Sequence, residues 1–425
     1  MRFLFFFVVL MLSFSFGSMA LAGGKLLIVG GALESSNAQV YSAFIDAIPA
    51  QAKIAIVPAA SGRPTLYAEK FRKDLNRYGV TNERIVILPL ALVDDRSTEV
   101  DESKWQDNAY STDLLASLAG VQGFWFVGGD QTRITQLLMR DGEESPLLRF
   151  IRDKLQSGAI VGGTSAGAAM MSHQMIAGGD SISALLTSPA EAYTGMESQE
   201  LGQLYWQPGL NLLPGILVDQ HFDRKARLGR LAVAMCRLKQ GYGLGVDEDT
   251  AAFVDLEKQS LRVLGRGNVI WLEAATGGCN LRGDSLEQAG VATEVIRQFS
   301  LSVMAAGDSW QWSRKLFKSS DGKQKTVGQE AFAGGVHSGG GFALANARLD
   351  QSLGFDLLDN SDTKQLDRFT LARFQNHDYL IRYQFKQSPK SEGYWGYLDG
   401  TKDSYSAVNV IFSVELRRLS ERLIP

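Results

Sequence analysis

The chain has 425 residues, which is enough for two domains or one large domain and too many for a small disulfide-stabilised protein. Hydrophobic residues make up 45% of the sequence and charged residues 21%, the usual balance of a soluble globular protein. The 43 basic and 46 acidic side chains leave a net charge of −3, so the overall charge gives no reason to expect a nucleic acid or an anionic membrane as partner.

Residues 1–22 have the pattern of a secretory signal peptide, which we predict to be removed. Arg2 gives a positive start, Phe3–Leu12 is wholly apolar, and Ala20-Leu21-Ala22 has the form of a cleavage site. The apolar run is about half the roughly 20 residues of a spanning helix, which argues against a membrane anchor. The mature chain is therefore expected in a periplasmic or extracellular space. Cys236 and Cys279 can form a disulfide there, and two free thiols are equally compatible with the sequence.

The first two thirds of the chain alternate between strand-like and helix-like runs. The predicted strands are Lys25–Val29, Lys53–Val57, Arg84–Leu88, Gly123–Val127, Ala159–Val161, Ile216–Asp219 and Ala251–Val254. The predicted helices are Asn37–Ile48, Pro64–Tyr78 and Leu147–Gln156. Continuous apolar strands separated by helices predict an α/β fold, with a doubly wound, mostly parallel sheet covered by helices on both faces. Ligands of such folds bind beyond the carboxyl ends of the strands.

The pattern changes near Leu281. Lys318–Gln329 is polar and rich in lysine, which predicts an exposed loop or linker. Apolar residues then alternate with mostly polar neighbours from Val408 to Leu416, as in a half-buried strand. We therefore predict an α/β domain over residues 23–281 and a strand-containing C-terminal extension over residues 282–425.

A glycine-flanked serine is the strongest functional signal. Gly163–Gly167 has the form G-x-S-x-G, directly after a predicted strand and before an apolar helical run. This context is typical of a nucleophile elbow, in which a sharp turn exposes the hydroxyl of Ser165 and the helix after it directs N–H groups toward a developing oxyanion. A tight turn or a phosphate-binding loop is the alternative interpretation.

A serine nucleophile needs a base and an acid that orients the base. The four histidines are His173, His221, His337 and His377, and His221 is favoured because it ends a strand-like run. The spacing does not choose the acid among Asp247, Glu248 and Asp249, which also fit a solvated loop.

Two further charged residues suggest a substrate pocket. Asp219 is two residues before His221, so on a strand both would share a face, and Asp219 could bind a guanidinium while Arg230 holds a carboxylate. Arg224, Arg227 and Arg230 also lie at helical spacing, and surface ion pairs explain that spacing equally well.

Four stretches together resemble the cyanophycinase and dipeptidase E family of serine peptidases. They are Phe126–Gln131, Gly163–Ala168, Asp219–Phe222 with Arg227–Leu231, and Gly245–Ala251. They follow the family's order over roughly residues 25–272. The chain resembles cyanophycinases more than the dipeptidase, because Asp219–Phe222 and the arginines that follow it match the cyanophycinases. The order Ser, His, Glu differs from the Ser, Asp, His of α/β-hydrolases.

The resemblance implies a role for individual residues. Ser165 matches the nucleophile, His221 the general base and Glu248 the orienting acid. The backbone amides of Gly129 and Ala166 would form the oxyanion hole. The positions that shape the substrate pocket correspond to Gln131, Asp219, Gln220 and Arg230. No metal and no cofactor is implied.

The resulting hypothesis is an exported serine exopeptidase that cleaves cyanophycin, an arginine-grafted polyaspartate, into β-Asp-Arg dipeptides through an acyl-enzyme. One alternative is an exported peptidase or amidase of the same family that acts on other acidic or isoaspartyl peptides. Another is a lipase-like α/β-hydrolase in which His337 or His377 serves Ser165. A fourth is a noncatalytic protein that binds polymer or cell wall. The C-terminal extension departs from the family pattern. Its candidate roles are binding of insoluble polymer, formation of a homodimer and completion of the fold.

Overall fold

A computed structural model describes residues 23–281, 290–336 and 348–420, in which two large sheets carry most of the strands. The predicted signal peptide and His337 lie outside these ranges. The helices are α1 Ala38–Asp46, α2 Pro64–Arg77, α3 Thr112–Ser117, α4 Gln131–Leu138, α5 Pro146–Gln156, α6 Ala166–Ala169, α7 Ser181–Leu186 and α8 Leu228–Leu238.

The strands of the first half of the chain are β1 Lys25–Val29, β2 Lys53–Val57, β3 Ile85–Ile87, β4 Val121–Phe126, β5 Met139–Arg140, β6 Glu143–Glu144, β7 Ile160–Thr164, β8 Gln174–Gly178, β9 Tyr205–Pro208, β10 Ile216–Gln220 and β11 Tyr242–Val246. Those of the second half are β12 Thr250–Asp255, β13 Ser260–Gly265, β14 Asn268–Glu273, β15 Ala292–Ala305, β16 Ser309–Gln311, β17 Leu316–Lys318, β18 Gln324–Lys325, β19 Gln365–Phe374, β20 His377–Lys386, β21 Glu392–Leu398 and β22 Lys402–Arg418.

The first sheet has the strand order β17-β16-β13-β12-β1-β7-β4-β2-β3. Its segment from β1 to β3 is parallel, and the strands from β12 to β17 add to it in antiparallel fashion. Leu26 and Ile28 pack into one apolar cluster while Leu27 and Val29 pack into another, so both faces of this sheet are buried. The predicted α/β fold class is confirmed.

The second sheet has the order β10-β11-β14-β15-β22-β20-β19 and is antiparallel except for the pair β10–β11. The predicted alternation near the end of the chain is confirmed in β22, where Val408, Val410, Phe412 and Val414 are buried. Strands from beyond residue 281 pair with earlier strands in both sheets, through β14–β15 and β13–β16. The division into domains at residue 281 stays a prediction.

The segment Lys318–Gln329, predicted as an exposed loop, contains a buried charge. Lys323 is 3% exposed at its side chain, and its Nζ lies 3.2 Å from an oxygen of the fully buried Asp308. Burial lowers the pKa of Lys323, while the attraction of Asp308 opposes that shift. The prediction is wrong at this residue because Asp308, in the turn between β15 and β16, needs a counter-charge that a local polar pattern does not reveal.

Cys236 and Cys279 form a disulfide with a Cα–Cα distance of 5.5 Å, which decides between the two cysteine states left open by the sequence. The bond joins α8 to the segment that follows β14.

We expect replacement of both cysteines by alanine to lower the free energy of unfolding by about 2–4 kcal/mol. The bond closes a loop across a sequence separation of 43 residues, which restricts the unfolded chain. Chemical denaturation measures the change. Dithiothreitol should destabilise the parent protein by the same amount and leave the double variant unaffected, and equal stability of both proteins would contradict the prediction.

Candidate active site

Ser165 lies in a sharp turn between β7 and α6. Its backbone has φ +55° and ψ −109°, a conformation that non-glycine residues rarely adopt. A Cβ on Gly163 would lie 2.3 Å from the carbonyl oxygen of Gly167, and one on Gly167 would lie 2.4 Å from that of Phe126. Both glycines are therefore required for the predicted strand-to-helix turn. The helix after it is a single turn of four residues, shorter than the apolar run suggested.

A continuous chain of hydrogen bonds starts at Ser165. Its Oγ is 2.9 Å from Nε2 of His221, and Nδ1 of His221 is 2.6 Å from Oε1 of Glu248. With the proton of the neutral imidazole on Nδ1, that nitrogen donates to Glu248 and Nε2 accepts from the serine hydroxyl. This arrangement can remove the hydroxyl proton and stabilise the imidazolium that results.

The two neighbouring acids have other partners. Asp247 accepts hydrogen bonds from the backbone N–H groups of Asp223 and Asn268, at 3.0 and 2.9 Å. Asp249 accepts from the side chain of Asn37 at 2.8 Å. Of the three acids that the sequence offered, the structure brings Glu248 to His221.

The position of His221 depends on the turn after β1. Strand β10 ends at Gln220, His221 has φ +48°, and its N–H donates to the carbonyl oxygen of Gly30 at 2.6 Å. The prediction that Asp219 and His221 share one strand face is therefore wrong, because the strand ends between them. Gly31 leaves the space that the imidazole ring occupies, since a Cβ there would lie 2.2 Å from Cε1 of His221.

The four side chains expected to shape the substrate pocket are buried, and those of Gln131, Asp219 and Arg230 are hydrogen-bonded to other parts of the protein. Arg230 donates from Nε to Oδ2 of Asp219 at 3.0 Å and from Nη2 to Oδ1 of the same carboxylate. Nη1 of Arg227 lies 3.3 Å from Oδ1 of Asp219. Asp219 and Arg230 are only 1% and 2% exposed. The alternative that these arginines form surface ion pairs is wrong for Arg227 and Arg230, since both are buried.

The two glutamines differ in how their side chains are bonded. Gln131 donates to the carbonyl oxygen of Ile176 at 3.0 Å and accepts from Gln199 at 3.3 Å, so it anchors the segment around residue 199. The backbone carbonyl oxygen of Gln220 accepts from Arg227, whereas its buried side-chain Oε1 receives no hydrogen bond within the described ranges. Direct contact of Gln131, Asp219, Gln220 and Arg230 with a substrate stays a prediction. The buried ion pair of Asp219 and Arg230 favours a supporting position behind His221 for these two residues.

Comparison with known proteins identifies the family. The profile of Peptidase family S51 matches residues 26–262, which is more than half of the chain. The chain belongs to this family. Curated relatives include the cyanophycinase of Trichormus variabilis, 32% identical over 247 residues that cover 57% of this chain and 72% of the relative. The cyanophycinase of Synechococcus elongatus is 34% identical over 249 residues, 58% of this chain and 67% of the relative.

A third relative extends the match. The cyanophycinase of Geminocystis herdmanii is 29% identical over 289 residues, which cover 67% of this chain and 93% of the relative. The resemblance predicted from four short stretches is confirmed, and the chain is a serine-type peptidase of the cyanophycinase type.

The other two histidines that the structure describes, His173 and His377, have different surroundings. His173 is exposed, four residues beyond the end of α6 at Ala169. His377 lies at the start of β20, where its Nδ1 accepts from Arg418 at 2.9 Å. Among the histidines that the structure describes, His221 is the one bonded to Ser165, which argues against a lipase-like arrangement with His377.

A cleft of about 500 Å³ opens beside Ser165 of the S51 peptidase, and the sequence did not point to it. Its lining includes Gly128, Gly129, Thr164, Ser165 and His221. A second part of the lining, called the α2 wall below, consists of Arg63 at the N-cap of α2 and of Tyr67, Lys70, Phe71 and Asp74 on one face of that helix. The spacing of these α2 residues, all on one face of a predicted helix, is the signal that could have indicated the α2 wall.

We expect Gly31→Ala to lower the kcat/KM of the S51 peptidase by about 100-fold, because the added Cβ must displace the ring of His221 from Ser165. Gly79→Ala is the matched control. Gly79 also has positive φ, at +87°, but a Cβ there meets nothing within 4 Å. The control should lose stability without losing activity, and an active Gly31→Ala protein would contradict the positioning role of Gly31.

His221 is a neutral base at physiological pH. Burial is the largest cause that lowers its pKa to about 4, the cations of Lys225 and Arg227 act in the same direction, and the hydrogen bond with Glu248 opposes them. The imidazole therefore remains able to accept the serine proton well below the ordinary histidine pKa of about 6.5.

The acid limb of kcat/KM is accordingly expected near pH 4, because protonation of His221 removes the base. Lys225→Ala removes a cation that disfavours the imidazolium, so it should move this limb to higher pH. Initial rates between pH 3.5 and 8 measure both profiles, with circular dichroism to verify folding at each pH. A limb at about pH 6.5 in the parent protein, or no movement in the variant, would contradict the expectation.

Proposed function

We propose that this protein is an exported serine exopeptidase that hydrolyses cyanophycin to β-Asp-Arg dipeptides. The observation that carries the proposal is the hydrogen-bonded chain Ser165–His221–Glu248 at the edge of a cleft, in a chain whose curated relatives are cyanophycinases. The substrate is a polyaspartate in which each aspartate bears an arginine through its β-carboxyl group.

The proposed reaction has two steps. Oγ of Ser165 attacks the backbone carbonyl carbon while Nε2 of His221 takes its proton, and Glu248 stabilises the imidazolium. The backbone N–H groups of Gly129 and Ala166 donate to the oxyanion. His221 then protonates the leaving amine, which leaves an acyl ester on Ser165. A water molecule that gives a proton to His221 attacks this ester, releases the dipeptide and restores the serine hydroxyl.

Two features support export. Residues 1–22 have the pattern of a cleaved signal peptide, and disulfides such as Cys236–Cys279 are typical of oxidising compartments. In the described ranges, every helix is too short or too polar to cross a membrane.

Incubation of the purified protein with insoluble cyanophycin, followed by mass analysis of the soluble products, tests the proposal. The expected product is β-Asp-Arg. If the protein does not cleave cyanophycin but cleaves other isoaspartyl peptides, the result would favour the alternative of a peptidase or amidase of the same family with a different substrate. Saturable binding of the polymer without products, and without labelling of Ser165 by a fluorophosphonate probe, would favour the noncatalytic alternative.

A further inference from the structure

The α2 wall of the cleft combines an acid, aromatic rings and cations on one helix face. Tyr67, Lys70 and Asp74 follow one another on α2 at spacings of three and four residues, Arg63 is the N-cap residue of the same helix, and all four line the cleft that contains Ser165. Residues three and four apart lie above one another on a helix. The α2 wall is therefore a row of different chemical groups in the cleft of the candidate nucleophile.

Asp74 is the buried end of this row. This residue is 7% exposed, and its Oδ2 accepts a hydrogen bond from the hydroxyl of Tyr41 at 3.0 Å. Its Oδ1 receives no hydrogen bond, and no cation pairs with the carboxylate, in the part of the chain that the structure describes. A buried carboxylate with one of two oxygens satisfied is stabilised by a cation that brings its own donors.

Aromatic side chains line the same cleft as this carboxylate. Tyr67 is 48% exposed, and Phe71 packs in a stack with Trp125 at 4.2 Å between ring centroids. The ring of Tyr41 lies 5.9 Å from that of Phe71. Such a surface accommodates a methylene stem, and its ring faces attract a guanidinium.

Two cations lie on the outer part of the same wall. Lys70 is exposed and has no ion-pair partner within the described ranges. Arg63 is 51% exposed at its side chain and is held at the rim by Asp95, at 3.3 Å. Lys70 precedes Asp74 by four residues, a rise of about 6 Å along the helix. This separation is comparable with that between the carboxylate and the guanidinium of one arginine.

We infer that the α2 wall is a subsite for an arginine side chain with a free carboxylate. Asp74 binds the guanidinium, Tyr67 and Phe71 contact the stem, and Lys70 with Arg63 binds the carboxylate. The inference rests on the proposed function, since a β-Asp-Arg unit carries both charged groups. It assigns to α2 the two contacts that the sequence suggested for Asp219 and Arg230, whose charges neutralise each other.

Binding in the absence of hydrolysis tests the subsite. Calorimetry with the Ser165→Ala protein compares β-aspartyl-arginine with β-aspartyl-citrulline, its neutral isostere. The arginine dipeptide should bind at least tenfold more tightly, and Asp74→Asn in the same background should weaken its binding about 10- to 100-fold while leaving the citrulline dipeptide unchanged. Asp113→Asn, at an exposed acid of α3 outside the cleft, is the matched control and should change neither affinity.

Lys70→Ala gives a second test at an exposed position, where the substitution does not endanger folding. It should reduce the preference for β-aspartyl-arginine over its C-terminal amide. Equal affinity of Ser165→Ala for the arginine and citrulline dipeptides, or an affinity unchanged by Asp74→Asn, would overturn the inference. Failure of the proposed function appears separately, as absence of β-Asp-Arg when the unmodified protein meets cyanophycin.

Discussion

Ser165→Ala is expected to lower kcat on cyanophycin by about 10⁴- to 10⁶-fold, with no loss of thermal stability. The substitution removes the atom that forms the acyl ester, while the cleft and the backbone amides beside it remain and support residual hydrolysis. Product release measured by mass spectrometry gives the rate, and the unfolding temperature verifies the fold. Ser157→Ala, at an exposed serine after α5, is the matched control and should retain full activity.

Retention of hydrolysis by the Ser165→Ala protein would exclude Ser165 as the nucleophile. Loss of activity accompanied by unfolding would be uninformative about chemistry, so a covalent readout is added. A fluorophosphonate should add its mass to the peptide that contains Ser165 in the parent protein, and His221→Ala should slow that addition because the base is gone. Fast labelling of the His221→Ala protein would contradict the role of His221.

Arg230→Ala is expected to lower the free energy of unfolding by about 3–5 kcal/mol. The substitution leaves the carboxylate of Asp219 buried with only the more distant Arg227 beside it, and an uncompensated buried charge is costly. Chemical denaturation measures the loss. Arg224→Ala, at an exposed arginine of the same stretch, should change the stability by about 0.5 kcal/mol or less.

This experiment also separates two roles for Arg230. A supporting residue behind His221 affects stability first, and activity through displacement of the base. A residue that holds the substrate carboxylate would instead raise KM and leave the stability near that of the parent protein. Unchanged stability with a raised KM would therefore contradict the supporting position of Arg230 and would favour its direct contact with the substrate carboxylate.

The fold could be predicted well where strands are buried on both faces. Lys25–Val29 and Lys53–Val57 read as continuous apolar runs, and the structure has strands with the same bounds. The helix predicted over Pro64–Tyr78 ends one residue earlier. Lys323 could not be predicted as buried, because its partner Asp308 comes from a different turn and only the folded chain brings them together.

Local sequence predicts one part of the candidate site, and the other part depends on tertiary structure. Ser165 can be predicted because its motif, Gly163–Gly167, consists of five consecutive residues around one turn. The choice of Glu248 over its neighbours depends on the placement of His221. That placement depends in turn on Gly30 and Gly31, which lie far before His221 in the sequence. The acid and cations of α2 have the appearance of an ordinary amphipathic helix, and their contribution to a cleft follows only from tertiary structure.

The pairing of β14 with β15 has a consequence for solubility. Strand β14 lies between β11 and β15, and β15 belongs to the part of the chain beyond residue 281. Without that part, β14 would be an open edge whose unpaired N–H and C=O groups can recruit the same strand of another molecule. The C-terminal extension is therefore expected to protect the second sheet, whose strand β10 leads to His221, from edge-to-edge aggregation. This role is independent of any contact between the extension and a polymer.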